Sequence, residues 1–339
     1  MKLSSWAARL VLGGAGAVLV VSLLTACSGK GDRSAAKSIP RVGLMHVGTD
    51  HVPPSLNSLE ARLKELGWIN GRNIRLIWRN LEPDEAEGQA KEFVRERVNV
   101  IVAFEDQSIR AAQAATARPK DHIPVVFLHP SDPVRDGLVK SLSHPGGNLT
   151  GVFGARDVVA KQLELYQLLV PRLRRVLTLV DPSDPGTARL LAQYRAAASQ
   201  LRPTLQLVIR RVSTAGDLKR VFGSLRPGEV DGAFLLSSKL RLNFSALTIR
   251  LAARAHVPVQ AHRKDWVQRG ALFSYGADLR PIGRLGARYV DSILEGTRPS
   301  DLSVEVVPVV EFAINLRTAS RLGIRIPQQM IIRADEVYR

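Results

Sequence analysis

The chain has 339 residues, enough for two domains of ordinary size with a core each. A hydrophobic fraction of 45% with 23% charged residues is that of a globular protein and excludes a disordered one, while 5% aromatics exclude broad stacking platforms. The formal net charge is +17. Its Lys and Arg are scattered, with no basic run interleaved with aromatics and no helix-turn-helix or zinc pattern. That argues against a nucleic-acid partner and for a basic, solvated surface.

Met1 to Ala26 has the three parts of an export signal. Lys2 and Arg9 make a positive start, Leu10 to Leu24 is an apolar run, and Leu24-Thr25-Ala26 leads into Cys27. The apolar run is short for a spanning helix, which needs about 20 residues. Leu-Thr-Ala-Cys resembles the bacterial lipobox, which implies that Cys27 is lipidated and becomes the new N-terminus. It is the one cysteine of the chain, so disulfides, zinc–thiolate sites and thiol catalysis are excluded. Residues 27–38, small and polar beyond the cysteine, read as a flexible tether.

From Arg41 onward, short apolar runs alternate with amphipathic segments. Strands are predicted at Val42–Val47, Ile74–Trp78, Val98–Phe104 and Val125–Leu128, with helices at Ser55–Leu66, Glu85–Arg97 and Ser108–Ala117 between them. Pro145-Gly146-Gly147-Asn148 is a turn cluster, and it lacks the Lys and Ser/Thr of a phosphate-binding loop. The alternation then resumes. Helices are predicted at Val158–Val170, from Asp184-Pro185 (Asp as cap, Pro as first helical residue), from Thr214 with a capping box to Asp217, and at Ser245–Ala255. Strands are predicted at Arg175–Val180, Leu205–Ile209, Ala233–Leu236 and Val257–Gln260. The last third adds a strand at Ala271–Tyr275, a helix opened by Pro281 and stopped before Gly296, a single strand over Val304–Ile314 and a short helix from Arg317. Repeated β-α-β units predict an α/β protein of two doubly wound parallel-sheet lobes with a hinged cleft between them. The expected boundaries are residues 1–26 for the signal, 27–38 for the tether, 39–150 plus about 271–300 for lobe 1, and 151–270 plus about 301–339 for lobe 2.

Several stretches together resemble one family. They are Leu63-Lys64-Glu65-Leu66-Gly67-Trp68 with Gly71-Arg72-Asn73-Ile74, Ile123-Pro124-Val125-Val126-Phe127, Ser131-Asp132-Pro133-Val134, and Pro145-Gly146-Gly147-Asn148-Leu149-Thr150-Gly151. Further on come Tyr289-Val290-Asp291-Ser292-Ile293-Leu294-Glu295-Gly296 and Ile314-Asn315-Leu316-Arg317-Thr318-Ala319. Over residues 40 to 339 the chain is similar to the substrate-binding lipoproteins of ABC transporters that include tryptophan- and tyrosine-binding members. The resemblance implies the fold of type I periplasmic binding proteins and capture of a small polar solute by lobe closure. It also implies permease subunits as partners, a monomer, no cofactor and no enzymatic activity. The same fold serves as a ligand-sensing lipoprotein receptor, and the sequence alone leaves that alternative open. Either role places the protein outside the cytoplasm, lipid-anchored to a membrane and facing the periplasm or the cell exterior.

In parallel sheets, ligands sit at the carboxyl ends of strands, where helix N-termini point. Such loops make Thr49, Glu105, Asp106, Ser131, Asp132, Asp181 and Ser237 candidate ligand contacts, with Tyr275 placed to stack on the solute. Each has a purely structural alternative: Asp106 and Asp132 as helix caps, Glu105 pointing to solvent, Ser131 and Ser237 satisfying local backbone. Where amino-acid-binding relatives carry Gly-Thr-Pro, this chain has Glu105-Asp106-Gln107. Two carboxylates there are expected to repel an anionic group and to favour an amine or a hydroxyl-rich ligand. No His-Glu-x-x-His or Gly-x-Ser-x-Gly motif occurs, and the seven His residues form no catalytic pattern.

Overall fold

A computed structural model describes residues 39–47, 52–82, 84–118, 120, 122–154, 158–184 and 186–339. The signal, the tether and Cys27 lie outside the described residues.

The first lobe begins with β1 (Arg41–Val47), α1 (Pro54–Glu65), β2 (Arg75–Leu81), α2 (Ala86–Arg95), β3 (Val100–Phe104), α3 (Glu105–Ala115), β4 (Val125–Leu128) and β5 (Leu149–Gly154). The chain then builds a second lobe from α4 (Val159–Leu169), β6 (Arg175–Val180), α5 (Thr187–Gln200), β7 (Gln206–Arg211) and α6 (Ala215–Gly223). This lobe continues through β8 (Gly232–Leu235), α7 (Ser238–Arg254), β9 (Gln260–Ala261), α8 (Lys264–Gln268) and β10 (Phe273–Ala277). Helix α9 (Leu279–Leu294), a 3-10 turn at Pro299–Asp301 and β11 (Glu305–Val307) return to the first lobe. Strand β12 (Val310–Asn315), α10 (Leu316–Arg321), α11 (Gln328–Arg333) and β13 (Glu336–Tyr338) complete the second.

The first-lobe sheet has strand order β11-β5-β4-β3-β1-β2, and all its pairings are parallel. Strands β3, β4 and β5 are buried along their whole length, because helices cover both faces. Leu56, Leu59 and Leu63 of α1 and Ile282, Tyr289 and Ile293 of α9 pack on one face. Phe93 of α2 and Ile109 of α3 pack on the other. Helices α1 and α9 touch backbone to backbone: a Cβ at Gly283 would sit 2.0 Å from the Ser55 carbonyl oxygen. In the second lobe the orders are β7-β6-β8 and β13-β12-β10-β9, linked by a parallel bridge between Ala233 and Val259. The one antiparallel pairing in these sheets, β10 with β12, follows from the chain's return through the other lobe.

The expected boundaries shift. Strand β10 belongs to the second lobe and β11 to the first, the reverse of the expected boundaries, and β5, which the boundary at 150 would cut, lies wholly in the first. The single strand expected over Val304–Ile314 is two strands in two different sheets. Pro308 separates them, since proline cannot donate to a ladder. Proline also trims the strand expected at Val257–Gln260: Pro258 stands within it and the ladder runs only over Gln260–Ala261. Helix α5 starts at Thr187, not at Asp184. The Asp184 carboxylate instead accepts from the backbone N–H of Gly186 at 3.1 Å and of Lys239 at 3.0 Å. The capping box at Thr214 and Asp217 forms as expected.

Three segments cross between lobes: after Gly154, at Ala277–Asp278 and at Val307–Val310. They converge on one waist. A Cβ at Gly154 would lie 2.5 Å from that of Ala277, and the Asp278 N–H donates to the Val309 carbonyl at 3.0 Å.

Candidate functional site

Beside this waist, between the carboxyl ends of the two parallel sheets, lies a cleft of ≈ 570 Å³. That is the size of a small-molecule site. One wall comes from the first lobe: Glu105 opening α3, and His129, Ser131 and Asp132 after β4. The other comes from the second: Gln162 of α4, Arg189 and Tyr194 of α5, and Ser237, Ser238 and Arg241 where α7 begins. His262, Gly276 and Ala277 form the floor near the crossings.

The walls touch across the cleft. Ser131 Oγ is 3.4 Å from Ser238 Oγ, and Arg189 reaches Asp132 at 3.8 Å and Asp136 at 3.9 Å. Closer to the floor, Arg263 lies 3.5 Å from Glu105 of the opposite lobe while pairing with Asp265 through two contacts of 2.9 Å. Arg263 is 3% exposed, and its guanidinium lies 5.4 Å from the Trp266 ring centre. A buried cation between two carboxylates is compensated, and burial of this kind is tolerated only when it is. Glu105 itself sits at φ 65°, an uncommon backbone for glutamate that aims its side chain at Arg263 rather than at solvent.

The candidates taken from the sequence therefore separate. Glu105, Ser131, Asp132 and Ser237 line the cleft. Asp106 stands behind Ser131, accepting from its backbone N–H at 2.8 Å and from its hydroxyl, and does not cap α3. Asp132 does cap its own turn, accepting from the Arg135 N–H at 3.1 Å, besides facing Arg189. Asp181 is fully buried under the second wall, where it accepts from Ser183 and Ser213 and lies 3.6 Å from Lys239. Burial pushes its carboxyl up, but those hydrogen bonds and Lys239 outweigh it and hold it below the usual range. Ser237 Oγ accepts from the Asp181 N–H at 2.8 Å and meets Thr187 at 2.5 Å, so it ties β6, α5 and α7 together. Tyr275 does not stack in the cleft. Its ring packs in the second-lobe core, edge-on to Phe312, and its carbonyl accepts from Gln162 at 2.7 Å. Thr49 lies outside the described residues.

Both carboxylates have partners within the protein: Glu105 lies 3.5 Å from Arg263, and Asp106 accepts from Ser131. The residues missed by sequence reasoning are mostly donors. Arg241 hid in the first turn of a helix whose start was placed seven residues late, and His262 follows a strand whose end loop was passed over. Tyr194, its phenol pushed up to about 12 by burial, remains a donor at neutral pH and donates a hydrogen bond to Gln162 Oε1 at 2.6 Å. His129 and His262 are both held below the ordinary histidine range by burial. For His262 the charges of Arg241 and Arg263 add to the effect, and it lies well below. Both imidazoles are thus neutral at pH 7. Among the described residues no group of His, Cys, Asp and Glu is arranged to hold a metal.

Residues 47–338 match the family described as ABC transporter substrate binding protein. The tyrosine-binding protein of Clostridioides difficile is 27% identical over 322 residues, covering 91% of this chain and 90% of that one. A conserved domain protein from Vibrio cholerae is 27% identical, with a TM-score of 0.78 over 88% of this chain and 99% of the other. A Streptococcus pneumonia domain crystallised with L-Trp superposes with a TM-score of 0.76 at 22% identity, over 88% of this chain and all (100%) of that one.

The low protonation range of His262 has a stability consequence. An unfolded imidazole takes up its proton near pH 6.5, whereas the buried one resists. The unfolded state then binds more protons as pH falls below that value, so His262 costs the fold stability there. Urea denaturation of wild type and His262→Gln between pH 7.5 and 5.5 is expected to show the wild-type advantage shrinking as pH falls. A pH-independent difference would contradict it.

Proposed function

The chain belongs to the family of ABC transporter substrate-binding proteins, and from that membership we propose that it is the lipid-anchored capture component of an importer. It takes up an amino acid or a related small polar solute outside the cytoplasm and presents it to permease subunits. The observation that carries this reading is the cleft itself. Polar side chains from two lobes converge on one cleft, at whose edge the chain crosses between them. A solute that contacts both walls stabilises the closed arrangement over an open one by its differential affinity, and a permease can read that closure. No bond need be broken. The tyrosine and tryptophan named for two relatives make aromatic amino acids the first solutes to test.

Support for the anchor comes from Cys27, which follows Leu-Thr-Ala at the end of an apolar run and precedes a small, polar segment. Several acyl chains at about 0.8 kcal/mol per buried CH₂ hold a protein on a membrane. The signalling-receptor alternative has no observation in its favour beyond the shared fold. A single compact monomer suffices, since both walls of the cleft come from one chain.

Two experiments check this proposal. In a thermal-shift screen of amino acids, amines, sugars and nucleosides, at least one amino acid is expected to raise the melting temperature, because it binds only the folded state. A screen with no stabilising solute would sink the capture reading. In a bacterial host the full chain is expected in the membrane fraction and labelled by a fatty-acid probe, with Cys27→Ser losing the label. Labelling that survives the substitution would place the anchor elsewhere.

A further inference from the structure

The cleft's carboxylates are each engaged by the protein, but two of its cations, Arg135 and Arg241, form no ion pair among the described residues. Glu105 faces Arg263, Asp132 faces Arg189, and Asp106 is held by Ser131. Arg241 lines the second wall. Among the described residues its side chain makes one hydrogen bond, from a terminal nitrogen to Ser238 Oγ at 2.9 Å, and its Nε is buried with no partner. The Nδ1 atoms of His129 and His262 are likewise buried, unpartnered and in the same cleft. Arg135, which also lines the cleft without an ion pair, differs in being solvent-exposed at its mouth.

A guanidinium that is partly desolvated and left without a counter-charge is costly. Its planar fork of donors matches a carboxylate through two parallel hydrogen bonds, a pairing stronger and more directional than one to a neutral group. We infer that Arg241 is the specificity-determining residue of this cleft and receives the carboxylate of the solute, with Ser238 beside it. The inference rests on the capture reading and narrows it: the solute class is a carboxylate-bearing small molecule such as an α-amino acid, not an amine or a sugar. The two neutral imidazoles complete the selection. Each can donate or accept at Nδ1 according to its tautomer, so they serve the solute's other polar groups without adding a second positive charge.

The test is calorimetry of the wild-type protein with matched pairs that differ only by the carboxylate: L-tyrosine against tyramine and L-tryptophan against tryptamine, with other amino acids and neutral sugars alongside. Acids are expected to bind, and their decarboxylated partners to bind at least tenfold more weakly. Arg241→Gln is expected to lose at least tenfold in affinity for the acid, and Arg241→Lys to recover part of it, with the ligand-free melting temperature of neither lowered. Tighter binding of an amine or a sugar than of every acid overturns the inference and leaves solute capture standing. So does full affinity for an acid in Arg241→Gln. If the variant fails to fold, the acid–amine comparison on the wild type decides alone. Absence of binding by every compound overturns the capture reading and this inference with it.

Discussion

Three strands of chain must pass through one waist, and little room exists there. Gly154 and Ala277 lie so close that a side chain on the first would strike the second, and the backbone at Asp278 is bonded to Val309. Everything else about the molecule follows from that crossing. The first lobe has one sheet and the second has two, and each lobe has its own core clusters. What the waist leaves adjustable is their approach, and the carboxyl ends of both sheets face each other across it.

The contacts across the cleft are of a kind that suits reversible closure. They are polar, they are few, and the Arg189 pairs at 3.8 and 3.9 Å are partly solvated, which limits each to a small contribution. A continuous apolar seam between the lobes would hold them shut whatever the cleft contained. The Glu105–Arg263 contact lies deeper and does a different task. There Glu105 and Asp265 together balance a buried guanidinium.

Much of this architecture was legible in the sequence, because parallel β-α-β units leave strong periodic patterns. Strand β5 escaped notice because Thr150, Gly151 and Gly154 break its apolar run. Thr150 there turns inward and donates to the Leu302 carbonyl at 2.7 Å. The lobe boundaries were misjudged for a related reason: nothing local marks which sheet a strand joins, and only Pro308 and Val309 separate two strands that read as one. The site was half legible. Loops at strand ends can be found by pattern, and four of the residues taken from them do line the cleft. Whether a carboxylate there is available to a ligand depends on a partner 158 positions along the chain, as for Glu105 and Arg263, and no local pattern reports that. The same holds for Tyr275, whose ring is claimed by Phe312 across an antiparallel pairing of the second sheet.

A clamp of two rigid lobes makes a demand on the shape of the whole molecule. Small-angle X-ray scattering of the mature chain carrying Cys27→Ser, without solute and then saturated with the most stabilising amino acid, tests it directly. The expected result is a smaller radius of gyration in the saturated sample than in the solute-free one. Identical curves for the two samples, with binding verified by calorimetry, would contradict capture by closure.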